Sequence, residues 1–126
     1  MDYSKMSDFE INRLVAIAEG HKCYYGDGSY TNDGVNVTVK GSRRIGWFNP
    51  CREGDTAWPI IQNNGISINH YNGVWEASFE WDAPVGAFGT DETVTTSTEH
   101  KNPLRAAMVA YLMMREVSNV TTDSTR

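Results

Sequence analysis

A thiol, three histidines, a carboxylate pair and arginines beside aromatic rings are the side chains here that could do chemistry. Cys51 is a candidate nucleophile, since a thiol reacts once a nearby base favours its thiolate. His21, His70 and His100 all lie far from it in sequence, so only the fold could bring a base to it. His21-x-Cys23 is half of a metal-binding spacing, but a structural zinc site brings its ligands in paired short spacings. The second pair is missing, and the plainer reading is strand and loop residues. Asp27, Ser29, Thr31 and Asp33 alternate like the oxygen ligands of a calcium loop. The sixth position is Asn32, where that loop needs glycine, and the twelfth is Thr38, where it needs a bidentate glutamate. Glu76 and Glu80 share a strand face whose default is solvation. The sequence has no Gly-x-Ser-x-Gly elbow, Walker loop or dinucleotide fingerprint. These patterns yield no catalytic residue, metal or cofactor.

Binding chemistry has more material. Arg43-Arg44, with Lys40 upstream and Trp47-Phe48 downstream, combines cations with stacking rings, the two ingredients of single-strand binding. The plainer reading puts Trp47 and Phe48 in the core and both arginines in solvent. Arg105 stands alone among apolar residues in the first turn of a helix, where the macrodipole disfavours a cation. It therefore calls for an assigned carboxylate, Asp55 or one from a strand; an anionic ligand is the functional alternative. The chain carries 4 tryptophans in 126 residues. Trp47, Phe48, Trp58 and Trp81 are the aromatic anchor candidates for a protein partner, provided at least one of them is exposed.

Composition bounds the rest. One domain of 126 residues, 40% hydrophobic, can build a core without disulfides or metal. A formal charge of −5 argues against a general nucleic-acid binder, which carries a basic stripe. The N-terminal residues lack the apolar stretch of a signal peptide, and no apolar run is long enough to span a membrane. Two cysteines, Cys23 and Cys51, do not make a disulfide framework. The expectation is a cytoplasmic protein with free thiols.

The elements that must position these residues are readable. Ser7 and Glu10 form a capping box before an apolar stripe of Ile11, Leu14, Val15 and Ala18, with Asn12 on the polar side, predicting a helix over 8–19 that Gly20 stops. His21–Tyr25 is a short strand candidate, followed by a glycine-rich loop through Gly34. Val35, Val37 and Val39 alternate with polar residues, and the chain stays extended from Arg43 to Phe48. Asp55 is the expected cap of a second helix over 56–64, with Pro59 near its first turn and Trp58, Ile60 and Ile61 facing inward. Ile66–Ile68, the Asn72-Gly73 turn and Val74–Trp81 form a hairpin with Trp75, Ala77, Phe79 and Trp81 on one face. Thr93–Glu99 is an edge-strand candidate. Asn102-Pro103 caps a third helix to about Val117, apolar nearly all round and hence buried on most sides. The predicted fold is α+β: a mostly antiparallel sheet of about four to five strands packed with three helices, on one or both faces. Residues 1–118 form one domain, and 119–126 a polar, fraying tail.

Asn49-Pro50-Cys51, Ala57-Trp58-Pro59-Ile60-Ile61, Ile66-Ser67 and Asn102-Pro103-Leu104-Arg105-Ala106-Ala107-Met108 together resemble the NinX family of lambdoid bacteriophages. The opening Met1-Asp2-Tyr3-Ser4 and Ser7-Asp8-Phe9-Glu10-Ile11-Asn12 are similar to that family's start, so the resemblance spans nearly the whole chain. It implies a phage or prophage accessory protein in the bacterial cytoplasm and an α/β/α sandwich. It brings no catalytic residues. The leading expectation is a non-enzymatic protein that binds a host or phage protein. The alternatives are a nucleic-acid-associated factor using Arg43, Arg44 and Lys40, and an enzyme using Cys51.

Overall fold

The computed structural model describes residues 2–21, 37–40, 45–84 and 91–124, with side chains over 2–21, 48–83 and 92–118. The His21–Tyr25 strand candidate, the Gly26–Gly34 loop, Cys23 and the Arg43-Arg44 pair lie outside the described residues, His21 itself excepted.

A single 3₁₀ turn, Tyr3–Lys5, precedes helix α1, Asp8–Ala18. Ser7 caps α1 as the sequence predicts, its Oγ accepting from the Glu10 amide at 3.2 Å. Gly20, at φ 86°, ends it: the Gly20 amide donates to the Ile17 carbonyl and the His21 amide to the Ala16 carbonyl. This left-handed exit is open to glycine at no steric cost. Ile11 and Val15 are fully buried, and Leu14 and Ala18 pack against the core. Asn12 overturns the expected pattern: it is fully buried.

Strands β1, Val37–Lys40, and β2, Ile45–Phe48, pair antiparallel with each other, Val37 opposite Phe48. They do not extend the main sheet. Strand β3, Ser67–Tyr71, strand β4, Val74–Pro84, and strand β5, Asp91–His100, form a three-stranded antiparallel sheet in that order. The predicted sheet of four to five strands is thus a three-stranded sheet and a separate two-stranded ribbon, with helix α2, Gly54–Asn64, between them in the chain. At the β3–β4 turn Asn72 and Gly73 both have positive φ, 54° and 78°. That pair of conformations matches the right-handed twist of the strands it joins.

Helix α2 starts earlier than Asp55 predicts. The Glu53 carbonyl already accepts from the Thr56 and Ala57 amides, so Asp55 lies inside the first turn. Pro59 is then interior, and the Asp55 carbonyl loses the amide that would otherwise reach it. The buried stripe of α2 is Ala57, Ile60 and Ile61, and Trp58 faces outward at 58% exposure. The inward placement of Trp58 is therefore corrected.

Helix α3, Pro103–Ser124, continues well past the expected end near Val117. Asn102 Oδ1 accepts from the Leu104 amide at 3.0 Å, with Pro103 in the first turn. Arg105 through Leu112 are all buried. The reason is position: α3 lies against the inner face of the sheet, and α1 and α2 pack on α3. Ala106, Ala107 and Ala110 let these neighbours come close. The layers are sheet, α3, then α1 with α2. An α/β/α sandwich would need helices on both sheet faces. Among the described residues the outer face carries exposed Ser67, Asn69, Glu80, Asp82, Thr93, Thr95, Ser97 and Glu99, and a face so polar gains little from a helix.

Candidate functional site

The turn after β2, Asn49-Pro50-Cys51-Arg52, meets the start of α1 and the start of α3 around one buried polar cluster. Asn12 on α1 donates from Nδ2 to Asn49 Oδ1 at 2.8 Å, and its Oδ1 accepts from the Cys51 amide at 2.9 Å. Asn102, before α3, donates from Nδ2 to the Cys51 carbonyl at 2.7 Å. Both backbone groups of Cys51 are thus held by asparagines from different helices. A buried polar group is costly unless bonded, so these amides specify how the three segments meet.

Arg105 is the second joint. Its Nη1 reaches Asp8 Oδ1 at 2.7 Å, and its Nη2 donates to the carbonyls of Tyr3, 3.0 Å away, and Met6, 2.7 Å away. The expected partner was Asp55 or a strand carboxylate; the partner is Asp8, in the first turn of α1. There the carboxylate is already favoured by the helix N-terminus, and Arg52 approaches its other oxygen at 3.2 Å. The Arg105 side chain is 9% exposed, and its fork is occupied by protein oxygens. It ties the 3₁₀ turn, α1 and α3 together.

A cleft of about 260 Å³ opens beside this joint, between the 3₁₀ turn, the end of β5 and α3, with Ser4, Thr98, His100, Arg105, Val109 and Met113 in its walls. His100 Nδ1 accepts from the Asn102 amide at 2.9 Å. Burial and the nearby Arg105 charge hold its pKa below the ordinary value. The ring is neutral at pH 7 and spends Nδ1 on the cap of α3.

Cys51 is fully buried. Burial, with the Asp8 carboxylate nearby, pushes its thiol up to about 12. Such a thiol is protonated at neutral pH and closed off from solvent, so the nucleophile reading of Cys51 is withdrawn. No group of metal-ligating side chains occurs among the described residues. Glu76 and Glu80 do not form a working pair: Glu80 is exposed, and Glu76 accepts from the Tyr71 hydroxyl at 2.6 Å.

The aromatic candidates separate. Phe48 is buried, 5.0 Å ring to ring from His21. Trp47 belongs to β2, and its side chain lies outside the described residues. Trp81 is half-buried against the core and donates from Nε1 to Thr96 Oγ1 at 2.9 Å. Trp58 is exposed. The described structure does not bring it together with Trp81, Phe48 or Arg105 into one site. The residues that sequence reasoning missed are Asp8, Asn12, Asn49 and Asn102. Two of them precede proline, in Asn49-Pro50 and Asn102-Pro103, and that repeated dipeptide is the one signal that points to them.

Among the described residues no helix is long and apolar enough to cross a membrane. No curated protein matches this sequence. The family model of NinX from bacteriophage P22 matches residues 2–115, from the 3₁₀ turn into α3 and including every residue of the polar cluster. The chain therefore belongs to the bacteriophage P22 NinX family.

Proposed function

We propose that this phage protein is a non-enzymatic accessory protein of the bacterial cytoplasm that binds a host or phage protein, with Trp58 as its anchor. The observation behind this reading is the 58% exposure of Trp58 on a helix whose opposite side is locked into the core. Asp55, Pro59 and Gln62 are exposed beside it. A rigid aromatic side chain presented this way loses little entropy on docking, and buried tryptophans are among the strongest interface anchors. The buried, protonated Cys51 and an Arg105 already bonded to Asp8 and two backbone carbonyls support binding over catalysis.

The test is a tagged pull-down from host lysate, with and without nuclease, run for the wild type and Trp58→Ala. The expected result is a stoichiometric protein that survives nuclease. Its affinity, remeasured with purified components, falls at least about tenfold in Trp58→Ala, as an anchor worth more than ~1.4 kcal/mol requires. Unchanged affinity in that variant removes Trp58 as the anchor. Loss of every partner on nuclease treatment shifts the reading to nucleic acid and to Arg43 and Arg44.

A further inference from the structure

Among the described residues the outer edge of β5 pairs with no other strand. The strand runs ten residues, Asp91–His100, and pairs with β4 without a bulge from Pro84 opposite Asp91 to Trp75 opposite His100. On its other side no strand follows among the described residues. Alternate residues of an edge strand point their N–H and C=O groups away from the sheet, ready to pair with another chain. Sheet edges are normally blunted by lysine, proline, bulges or extreme shortness. Strand β5 has no lysine, proline or bulge and is ten residues long; its charges, Asp91, Glu92 and Glu99, lie towards its ends, and its centre, Thr93–Thr98, is uncharged.

The sheet face that such a strand would extend has one sign of charge. Register places Glu76, Glu80 and Asp82 of β4 and Glu99 of β5 on the outer face, with Tyr71 of β3. No lysine or arginine shares that face among the described residues. Glu76 and Glu99 sit directly opposite each other, a costly arrangement for like charges. The Tyr71 hydroxyl lies 2.6 Å from one and 3.1 Å from the other. It has a single proton, so it serves one carboxylate fully at a time. A second copy of the chain is the wrong occupant: two β5 strands paired about a two-fold axis perpendicular to the sheet would merge two acidic faces into one.

We infer that the outer edge of β5 takes up an extended segment of a partner protein, added as a fourth strand, with lysine or arginine at alternate positions over the acidic face. Backbone pairing supplies the docking, and the alternating cations supply the selectivity. This inference rests on the protein-binding reading but uses a surface other than Trp58.

The test uses the full-length protein and three ten-residue peptides: alternating Lys-Thr, alternating Glu-Thr, and Lys-Thr N-methylated at every backbone amide. Affinity is read by titration, and the site by amide hydrogen exchange. The expected result is binding of Lys-Thr with slowed exchange at alternate amides of β5. N-methylation, which keeps every charge and removes the backbone donors, weakens binding at least about tenfold, and Glu-Thr does not bind. Equal binding of the N-methylated peptide means charge attraction alone and overturns the inference. So does the absence of Lys-Thr binding, or self-association of the protein that protects β5 without peptide. Trp58 is intact in every arm. If the peptide fails while Trp58-dependent capture from lysate persists, only the edge inference falls.

Discussion

Replacing Arg105 by methionine keeps an apolar stem of similar reach up to the position of Nε and removes the guanidinium. Three contacts vanish: Asp8 at 2.7 Å and the carbonyls of Tyr3 and Met6 at 3.0 and 2.7 Å. Breaking one partner out of a buried ion pair costs ~3–5 kcal/mol. Asp8 is 19% exposed and keeps Arg52 at 3.2 Å, which places the expected loss at the lower end, about 3 kcal/mol. For a chain of this size that is roughly 10 °C in melting temperature. Asp8→Asn leaves the guanidinium on two carbonyls and is expected to cost about 1–2 kcal/mol. Urea and thermal unfolding of the wild type, both single variants and the double variant give the coupling energy, expected at about 1 kcal/mol or more. A methionine variant within about 0.5 kcal/mol of wild type, or a coupling near zero, would refute the account of Arg105 as the joint between α1 and α3.

Two further predictions concern titratable groups. Native Cys51 is expected to resist alkylation at pH 8 and to react only on unfolding, followed by peptide-level mass spectrometry so that Cys23 is scored separately. Because burial raises its folded pKa from 9.0 to about 12, its stabilising effect is complete below pH 9 and is lost as pH rises from there toward 12. The fall in stability on raising the pH past 9 is thus expected to be shallower in Cys51→Ala; parallel curves for the two proteins would contradict this. His100 has the opposite sign. Its pKa is held below the ordinary 6.5, so stability is present above that pH and declines as pH falls through it. Protonation also removes the acceptor of the Asn102 amide at the start of α3. His100→Asn is expected to lose less stability than wild type between about pH 7.5 and about pH 5.5, and equal losses in urea titrations would count against the cap contact.

Legibility followed how local each signal was. The β3–β4 hairpin is written in Asn72-Gly73, because only the φ values of those two residues decide it. The burial of α3 is readable from a segment apolar on every side. Asn12 is not readable, because what buries it lies 37 and 39 residues away, at Asn49 and Cys51. Trp58 misleads for another reason. The buried stripe of α2 runs through the small Ala57 with Ile60 and Ile61, and size alone directs the eye to the larger neighbour. The partner of Arg105 is hidden in the same way: the need for a carboxylate is local, but which one answers depends on how α1 crosses α3. Strand count fails because nothing in β2 says whether it joins β3 or turns back on β1.

Helix α3, the last of the described elements in sequence, is the middle layer of the molecule, and this bears on the order in which its layers can meet during synthesis. Helices α1 and α2 and the sheet all leave the ribosome before the element against which each of them is buried. Until α3 emerges, the apolar sides of Ile11, Val15, Ile60, Ile61 and Phe79 have no partner layer to cover them. The Tyr3 hydroxyl cannot meet Glu116, 113 positions later, until that part of α3 has been made. A product that stops short of α3 lacks the layer against which α1, α2 and the sheet are buried.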